Sequence, residues 1–341
     1  MEKDPQADAI TTDDVKDAVA AGVLPQQHAQ ALLAFVAQSR QSPSRTDEES
    51  FRFIRSFNDI FVTIAIALVL FALNRLLSTI SEPVSMLAIA AASWAMAEYF
   101  TRRRRMAFPS IVLLGAFVVS VFLAFADLLN FSDSVPYEDT AAAGSAIAAA
   151  IAAGIHWLRF RVPITVAAGV AALILFVVAL VRLEYASTTV MLAAGLVTLV
   201  IAMMFDTRDR QRLTRKADIA FWLHMLAAPL IVHGLFATLG ILTGSLSSTQ
   251  AGAVLAFYAV FGLFALIIDR RALLVSSLIY VLYAASTLIA SSGFRDYSSG
   301  ITALAIGVFL LLLSAGWSHL RALVLRIMPQ AARDLVPPAA S

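Results

Sequence analysis

Long apolar blocks constrain this chain more than any other feature. Each runs for about 16–22 residues, the length that an α-helix needs to cross a hydrocarbon core of about 30 Å. The chain is only 14% charged, whereas soluble domains carry about 25% charged residues. One soluble core could not bury ten such blocks, so they predict an all-α polytopic transmembrane helix bundle. The predicted spans are 57–77, 84–100, 107–126, 140–158, 163–181, 187–205, 218–240, 250–268, 272–290 and 300–318.

Lysine and arginine are divided unevenly between the segments that join these spans. The segments after the second, fourth, sixth and eighth spans are basic, as in Arg102–Arg105. The alternate segments hold only Arg75, Arg182 and Arg295. Positive charge is retained in the cytoplasm during insertion, so both termini are predicted to be cytoplasmic. The expected location is the bacterial inner membrane, with the lipid bilayer as the first partner.

Residues 10–38 predict a small helical hairpin outside the membrane. Thr12 can cap a first helix, Gly22 suits its end, and Pro25 suits the first position of a second helix. Because the hairpin is acidic and separate from the spans, it is a candidate docking element for a cytoplasmic protein partner.

The predicted domain organisation has three parts. Residues 1–50 form the cytoplasmic N-terminal hairpin and its linker, residues 51–320 the transmembrane bundle, and residues 321–341 a cytoplasmic tail. The linker occupies residues 39–50, and an interfacial helix leads from it into the first span. Pro329 is expected to end the last helix, with disorder after it.

A repeat of about 55 residues runs through the bundle. Residues 109–115 and 163–169 both read P-x-x-V-x-x-G after a basic segment. Basic residues recur at the same interval, at Arg105, Arg161, Lys216, Arg271 and Arg326. Two interpretations stay open: duplication of a two-helix unit, or the period that any chain of short transmembrane hairpins produces under the charge rule.

The fourth span consists almost entirely of alanine and glycine. Gly144, Ala148 and Ala152 are four residues apart, a spacing that lets two helix backbones approach closely. The span is therefore expected to lie centrally in the bundle.

The seventh span carries the best candidates for function, Asp218, His224, Pro229 and His233. A proline inside a helix frees the carbonyl four residues before it and favours a kink. At about 100° per residue Asp218, Pro229 and His233 share a broad face of the helix, whereas His224 points elsewhere. The two histidines are about 13.5 Å apart in a straight helix and could not bind one metal ion. They are interpreted either as hydrogen-bonded packing residues or as the lining of an intramembrane pathway.

The other ionisable residues of the spans lie near span ends and are interpreted as salt-bridge partners at the membrane interface. They are Glu98, Asp127, Glu184, Asp206 and Asp269. His156 stands beside Trp157 at an inner boundary, where we expect it to belong to the interfacial belt.

No motif of a catalytic, cofactor or metal site occurs in the sequence. HExxH, GxxxxGK[ST], GxGxxG and G-x-S-x-G are all missing, and there is no cysteine. Because these motifs are missing, we do not expect an enzyme. Because the basic runs lie between spans, we do not expect a nucleic-acid-binding protein either.

Three stretches carry a family resemblance: DDVKDAVAAGVLPQQHAQALLAFV, EESFRFIRSFNDIFVTIA and DIAFWLHMLAAPLIVH. In them the chain resembles a class of bacterial polytopic membrane proteins that join a short N-terminal helix–Gly–helix hairpin to tandem transmembrane hairpins. That class implies no particular activity. The count of ten spans with both ends inside is also similar to that of the drug/metabolite transporter superfamily, although its inverted five-helix repeat is not visible here.

Two functional classes follow as alternatives. A secondary transporter or permease for a small solute or ion would use the seventh span. A scaffold or sensor would instead dock a partner through residues 10–38. The substrate, the partner and the oligomeric state are not readable from the sequence.

Overall fold

The computed structural model describes residues 12–41, 57–130, 138–181, 187–212, 214–241, 246–292 and 295–338. Most of the predicted linker, the interfacial helix before the first span and Glu184 lie outside these ranges. The described residues form helices and no strand. The chain divides into two compact units, residues 1–50 and 51–339, and each is described by itself.

The first unit contains the predicted helical hairpin. Helix α1 spans Thr12–Ala20 and helix α2 spans Gln26–Gln41. Gly22 lies between them with a φ of 70°, a left-handed conformation that glycine adopts without steric cost. Pro25 directly precedes α2, and its carbonyl accepts the first backbone hydrogen bonds of that helix. The predicted helix end at Gly22 is confirmed, and α2 begins at Gln26, one residue after the predicted first position at Pro25.

Ten helices of the second unit correspond to the ten predicted spans. Nine of them are long and apolar enough to cross a membrane, and α7 is a shorter apolar helix. The described chain is therefore an all-α polytopic membrane protein. The bounds are α3 Phe57–Leu77, α4 Glu82–Ala97, α5 Ala107–Asn130, α6 Glu138–Phe160, α7 Ile164–Val181, α8 Ser187–Thr207, α9 Arg215–Thr238, α10 Ser248–Ile268, α11 Ala272–Ser291 and α12 Ser298–Ile327.

The helices pack mainly in chain order. Helices α3 to α7 follow one another, α8 pairs with α9, and α10 packs with α11 and α12. Helix α9 joins these groups because it contacts α7, α8 and α11. The buried apolar residues of the described chain accordingly form four separate clusters. These helices are therefore held together pair by pair, and the described residues form no single central core.

Helix α9 is the most buried of the nine long apolar helices. In its most apolar stretch 61% of the residues are buried, compared with 44% in α6 and 6% in α12. The alanine-rich α6 was expected to be central, but it ranks second. Most of the apolar side chains of α12 are exposed, which suits a helix that is surrounded by lipid.

Two glycines explain why α8 and α9 approach so closely. A Cβ atom on Gly195 of α8 would lie 2.8 Å from the backbone nitrogen of Ile231, and one on Gly234 of α9 would lie 2.7 Å from that of Leu192. Such distances are too short for any side chain. Glycine therefore lets the two backbones touch, as small residues do between membrane helices.

The repeat of about 55 residues is also visible in the backbone conformation of the connections between helices. Each connection at the ends of α4, α6, α8 and α10 contains one residue with a positive φ between 52° and 56°. Non-glycine residues seldom adopt this conformation. The four residues are Arg105, Arg161, Arg212 and Asp269.

The C-terminal region is ordered further than the sequence predicted. Helix α12 ends at Ile327, just before Pro329, as expected. The disorder expected after Pro329 is wrong for residues 330–338. A short helix α13 spans Gln330–Arg333, and Val336 beyond it is buried.

Candidate functional site

The structure does not bring the four candidate residues of α9 together. His224 is buried inside the bundle, whereas Pro229 and His233 are exposed on its outer surface. Asp218 is half-buried in the first turn of the helix. Helix α9 runs through Pro229 as one α-helix. His224 therefore lies on a different face from Pro229 and His233, as the helical spacing predicts.

His233 is bound to a neighbouring helix. Its Nδ1 atom lies 2.8 Å from the hydroxyl oxygen of Tyr280, in a hydrogen bond between α9 and α11. The bond ties the two helices together on the outer surface. Such a contact matches the packing role that the sequence left open for this histidine.

Buried charge is concentrated at the inner end of the bundle, the end that the charge pattern predicts to be cytoplasmic. Asp206 of α8 is 1% exposed, and Arg270, between α10 and α11, is 3% exposed. The Nη2 atom of Arg270 donates to Oδ1 of Asp206 at 2.7 Å, and Nε donates to Oδ2 at 3.3 Å. Two bonds from one guanidinium are the strong, directional form of an arginine–carboxylate pair.

His224 lies beside this pair. Its Nδ1 atom is 2.8 Å from the carbonyl oxygen of Ala220 and 3.7 Å from Oδ2 of Asp206. A carbonyl can only accept a hydrogen bond, so Nδ1 carries the hydrogen. The other nitrogen, Nε2, has no hydrogen-bond partner among the described residues. Asp206 of α8 is therefore contacted both by Arg270, from the connection between α10 and α11, and by His224 of α9.

Arg270 also contacts α9 directly. Its Nη2 atom donates to the carbonyl oxygen of Ala217 at 3.3 Å, and its guanidinium lies 5.9 Å from the centre of the Phe221 ring. Burying an ion pair has a large desolvation cost, which is offset only by good geometry and further hydrogen bonds. These contacts supply that compensation and join α8 and α9 to the α10–α11 connection.

A second carboxylate, Asp269, binds three neighbours. Oδ2 accepts a bond from Nη1 of Arg212 at 3.0 Å, and Oδ1 accepts one from Nε1 of Trp317 at 2.9 Å. Nε of Arg321 lies 3.6 Å from the same Oδ1 atom. Asp269 thus connects the α8–α9 connection to α12.

Arg212 remains charged in this setting. Burial lowers the pKa of its guanidinium and the nearby charge of Arg270 lowers it further, whereas Asp269 and Asp206 oppose the shift. Arginine nevertheless stays protonated at any physiological pH. Its positive charge is therefore a permanent part of the inner end.

The C-terminal segment completes the arrangement through backbone carbonyls. Arg210 donates to the carbonyl oxygens of Val336 at 3.1 Å and Arg333 at 3.2 Å. Arg321, which is 4% exposed, donates to those of Pro337 and Pro338. The tail is therefore fixed to the same end of the bundle as the ion pairs.

We call this set the inner clasp. It consists of Asp206, Asp269, Arg210, Arg212, Arg270, Arg321 and the carbonyls of residues 333–338. Its charged groups bind one another across α8 to α12. In the described part of the chain, no group of three or more His, Asp or Glu side chains is placed to hold a metal ion. The geometry therefore serves to keep the inner ends of these helices together.

The sequence predicted only part of the clasp. Asp206 and Asp269 do form salt bridges, and Glu98 does so with Arg102 and Arg159. However, Asp206 was expected at the interface and is instead buried. Its partner is 64 residues away and that of Asp269 is 57 residues away. Such pairings depend on how the hairpins pack, which no local pattern reveals.

The expected belt role of His156 is wrong. Its ring is fully buried, and its Nδ1 atom lies 3.3 Å from the hydroxyl oxygen of Thr165. The rings of Phe160 and Trp94 have centroids 4.6 and 6.1 Å from its own. The histidine is a packing residue between α4, α6 and α7, because the hairpin turn folds Thr165 back over it.

Removing the end of the tail provides a direct test of the clasp. A chain ending at residue 333 loses three of the four carbonyls that Arg210 and Arg321 bind. Because a buried donor left without an acceptor costs about 1–3 kcal/mol, we expect a loss of that size in the free energy of unfolding. Denaturant titration of the purified protein in micelles measures it.

The matched control is a chain ending at residue 340. It keeps Pro338 inside the chain and therefore every carbonyl of the clasp as a neutral peptide carbonyl, so its stability should equal that of the full chain. Equal stability of the two truncations would contradict a structural role for the tail.

No protein-family model matches the chain, and no curated protein or solved structure matches it either.

Proposed function

We propose that this protein is a non-enzymatic scaffold or sensor of the bacterial inner membrane. Both of its ends lie in the cytoplasm, and its N-terminal hairpin docks a cytoplasmic protein partner. The bundle anchors the hairpin and does not conduct a solute.

The inner clasp is the observation that carries this proposal. A transport pathway along α9 requires polar groups on one face that water can reach. Pro229 and His233 face outward instead, while His224 is 3% exposed and packed beside Asp206. The inner ends of α8 to α12 are joined by one buried ion pair, Asp206–Arg270, and by the partly buried pairs of Asp269. A bundle with this arrangement is suited to holding its shape.

The hairpin supplies the docking element. Only Val15 and Ala29 are buried among its described side chains, whereas Val23 is 79% exposed and Leu32 is 43% exposed. Helix α1, with 9 residues, is too short to be stable alone in water, and α2, with 16 residues, is barely longer than that limit. Exposed apolar residues on such a unit favour contact with a partner.

A secondary transporter for a small solute or ion is the second candidate. Its support is the buried His224 next to the Asp206–Arg270 pair, because intramembrane ionisable groups of this kind form proton relays in transporters. The unbound Nε2 of His224 is the atom that would take up a proton in such a relay.

Water access to α9 distinguishes the two functions without knowledge of a substrate. The chain has no cysteine, so single cysteines at positions 224, 228, 229, 231 and 233 are clean probes. Only a thiolate reacts with a charged, membrane-impermeant thiol reagent, and it forms readily only in water. We expect all five to stay unlabelled from both sides of the membrane.

Exposed loop positions serve as controls for reactivity and orientation. Cysteine at 249 should be labelled in intact cells, and cysteine at 104 only after the cells are opened. A helical stripe of labelled positions on α9 would overturn the scaffold proposal in favour of transport. Labelling of position 104 in intact cells would overturn the proposed orientation.

A further inference from the structure

Two neighbouring loops at the inner end carry a dense, exposed group of arginines. Helix α4 continues as one turn of π-helix, Glu98–Arg103, and the arginines at 102–105 are all exposed. Helix α6 ends at Phe160, where Arg159 and Arg161 are also exposed. These loops hold six arginines and one acidic residue, Glu98.

Glu98 holds the two loops side by side. Its Oε1 atom accepts a bond from Nε of Arg159 at 2.6 Å, and Oε2 accepts one from Nη2 at 3.0 Å. Arg102 binds the same carboxylate at 3.2 Å. One acid therefore satisfies two arginines and positions the others beside them.

The remaining arginines have no such partner. Among the described residues none forms a hydrogen bond or ion pair with the side chains of Arg103, Arg105 or Arg161. Arg104 binds only a neutral group, because its Nε donates to the hydroxyl of Tyr99 at 3.2 Å. The two loops thus carry four arginines, at 103, 104, 105 and 161, whose positive charges no carboxylate of the described chain balances.

Arg212 differs from Arg105 and Arg161 in having partners. Arg105, Arg161 and Arg212 occupy equivalent turns, each with a φ of 52° to 54°. Glycine or asparagine fits that conformation better than arginine does. At Arg212 the conformational cost of the left-handed backbone is offset by hydrogen bonds to Asp269 and to two carbonyl oxygens. Arg105 and Arg161 lack that compensation within the described chain, so their partner is expected to come from outside it.

We propose that the paired loops 102–105 and 159–161 bind the phosphate of an anionic phospholipid. They lie where the apolar helices end, at the depth of the lipid headgroups, and guanidinium is well suited to phosphate oxygens. Leu158 is 78% exposed and Tyr99 is 43% exposed beside them, so acyl chains have apolar surface to contact. This site binds a lipid whether the protein is a scaffold or a transporter.

The connection between α8 and α9 offers a matched control on the same molecule. Arg208, Arg215 and Lys216 are likewise exposed. Two acidic residues, Asp206 and Asp209, lie in the same stretch of chain and reduce its net charge. Changing these three cations to glutamine alters the net charge by the same amount as changing Arg103, Arg105 and Arg161.

The test measures how strongly the purified full chain retains phosphatidylglycerol compared with phosphatidylcholine, by native mass spectrometry from detergent. Each guanidinium near a phosphate is worth about a fivefold change in affinity. We expect wild type to prefer phosphatidylglycerol. The Arg103→Gln, Arg105→Gln, Arg161→Gln variant should lose about a hundredfold of its affinity for that lipid. The control triple variant should retain the preference, and thermal unfolding of both variants confirms that they are folded.

Three results would overturn the site. One is a wild type that does not distinguish the two lipids. Another is an equal loss in both triple variants, which would show a diffuse charge effect. The last is complete displacement of phosphatidylglycerol by excess inorganic phosphate, which would mean that the loops bind a soluble anion instead of a lipid.

Discussion

Replacing Asp206 with asparagine is expected to lower the free energy of unfolding by about 3–5 kcal/mol, the range for removing one partner of a buried ion pair. The substitution keeps the shape of the side chain but removes its charge. Arg270 is 3% exposed and would be left with a buried positive charge that Ala217 and Phe221 compensate only in part. Denaturant unfolding in micelles, with abundance in the membrane as a second readout, measures the loss.

A double variant separates the loss of charge from a general disturbance. Asp206→Asn combined with Arg270→Met removes both charges, so it should be more stable than Asp206→Asn alone. The control is Glu98→Gln, which breaks the exposed Glu98–Arg159 pair. Water already solvates both of those groups, so the control should change stability far less. If Asp206→Asn were as mild as Glu98→Gln, the buried pair would not hold the inner end together.

Adding a single methyl group at Gly234 is expected to cost about 3 kcal/mol, the upper part of the range for overpacking a well-packed interior. The new Cβ atom of Gly234→Ala would lie 2.7 Å from the backbone nitrogen and 2.9 Å from the Cα atom of Leu192. A backbone cannot rotate away as a side chain can, so α8 and α9 would have to separate. The free energy of unfolding and the midpoint temperature report this change.

Two other glycines provide controls for the substitution itself. A Cβ on Gly307 of α12 would meet nothing within 4 Å, so Gly307→Ala should be neutral or slightly stabilising through better helix propensity. At Gly144 of α6 the new Cβ would contact only the side chain of Leu129, whose Cδ1 atom would lie at 2.6 Å. Trimming that side chain with Leu129→Ala should relieve Gly144→Ala. Leu192→Ala should not relieve Gly234→Ala, because there the obstacle is main chain. Relief by Leu192→Ala would contradict the close approach of the two backbones.

The sequence by itself determined the helices of the hairpin and of the bundle, and the membrane character. Helix lengths follow from the apolar blocks, since unpaired backbone groups are too costly in a hydrocarbon core for anything but complete helices or closed barrels. The hairpin turn at Gly22 and the end of α12 before Pro329 follow from local backbone preferences. These features depend on residues that are close in sequence, so they can be read directly.

The position of each polar residue was decided by the tertiary structure. Helical spacing predicted that His224 and His233 lie on different faces, but not which face would be buried. Asp206 looked like an interfacial residue because it borders a basic loop. It is buried because Arg270, far away in the chain, is brought to it by the packing of α10 and α11 beside α9. The tail after Pro329 became ordered for the same reason, since Arg210 and Arg321 supply donors for its carbonyls. A carboxylate or a carbonyl is stabilised by whatever lies within hydrogen-bonding distance, and only the packed hairpins establish those neighbours.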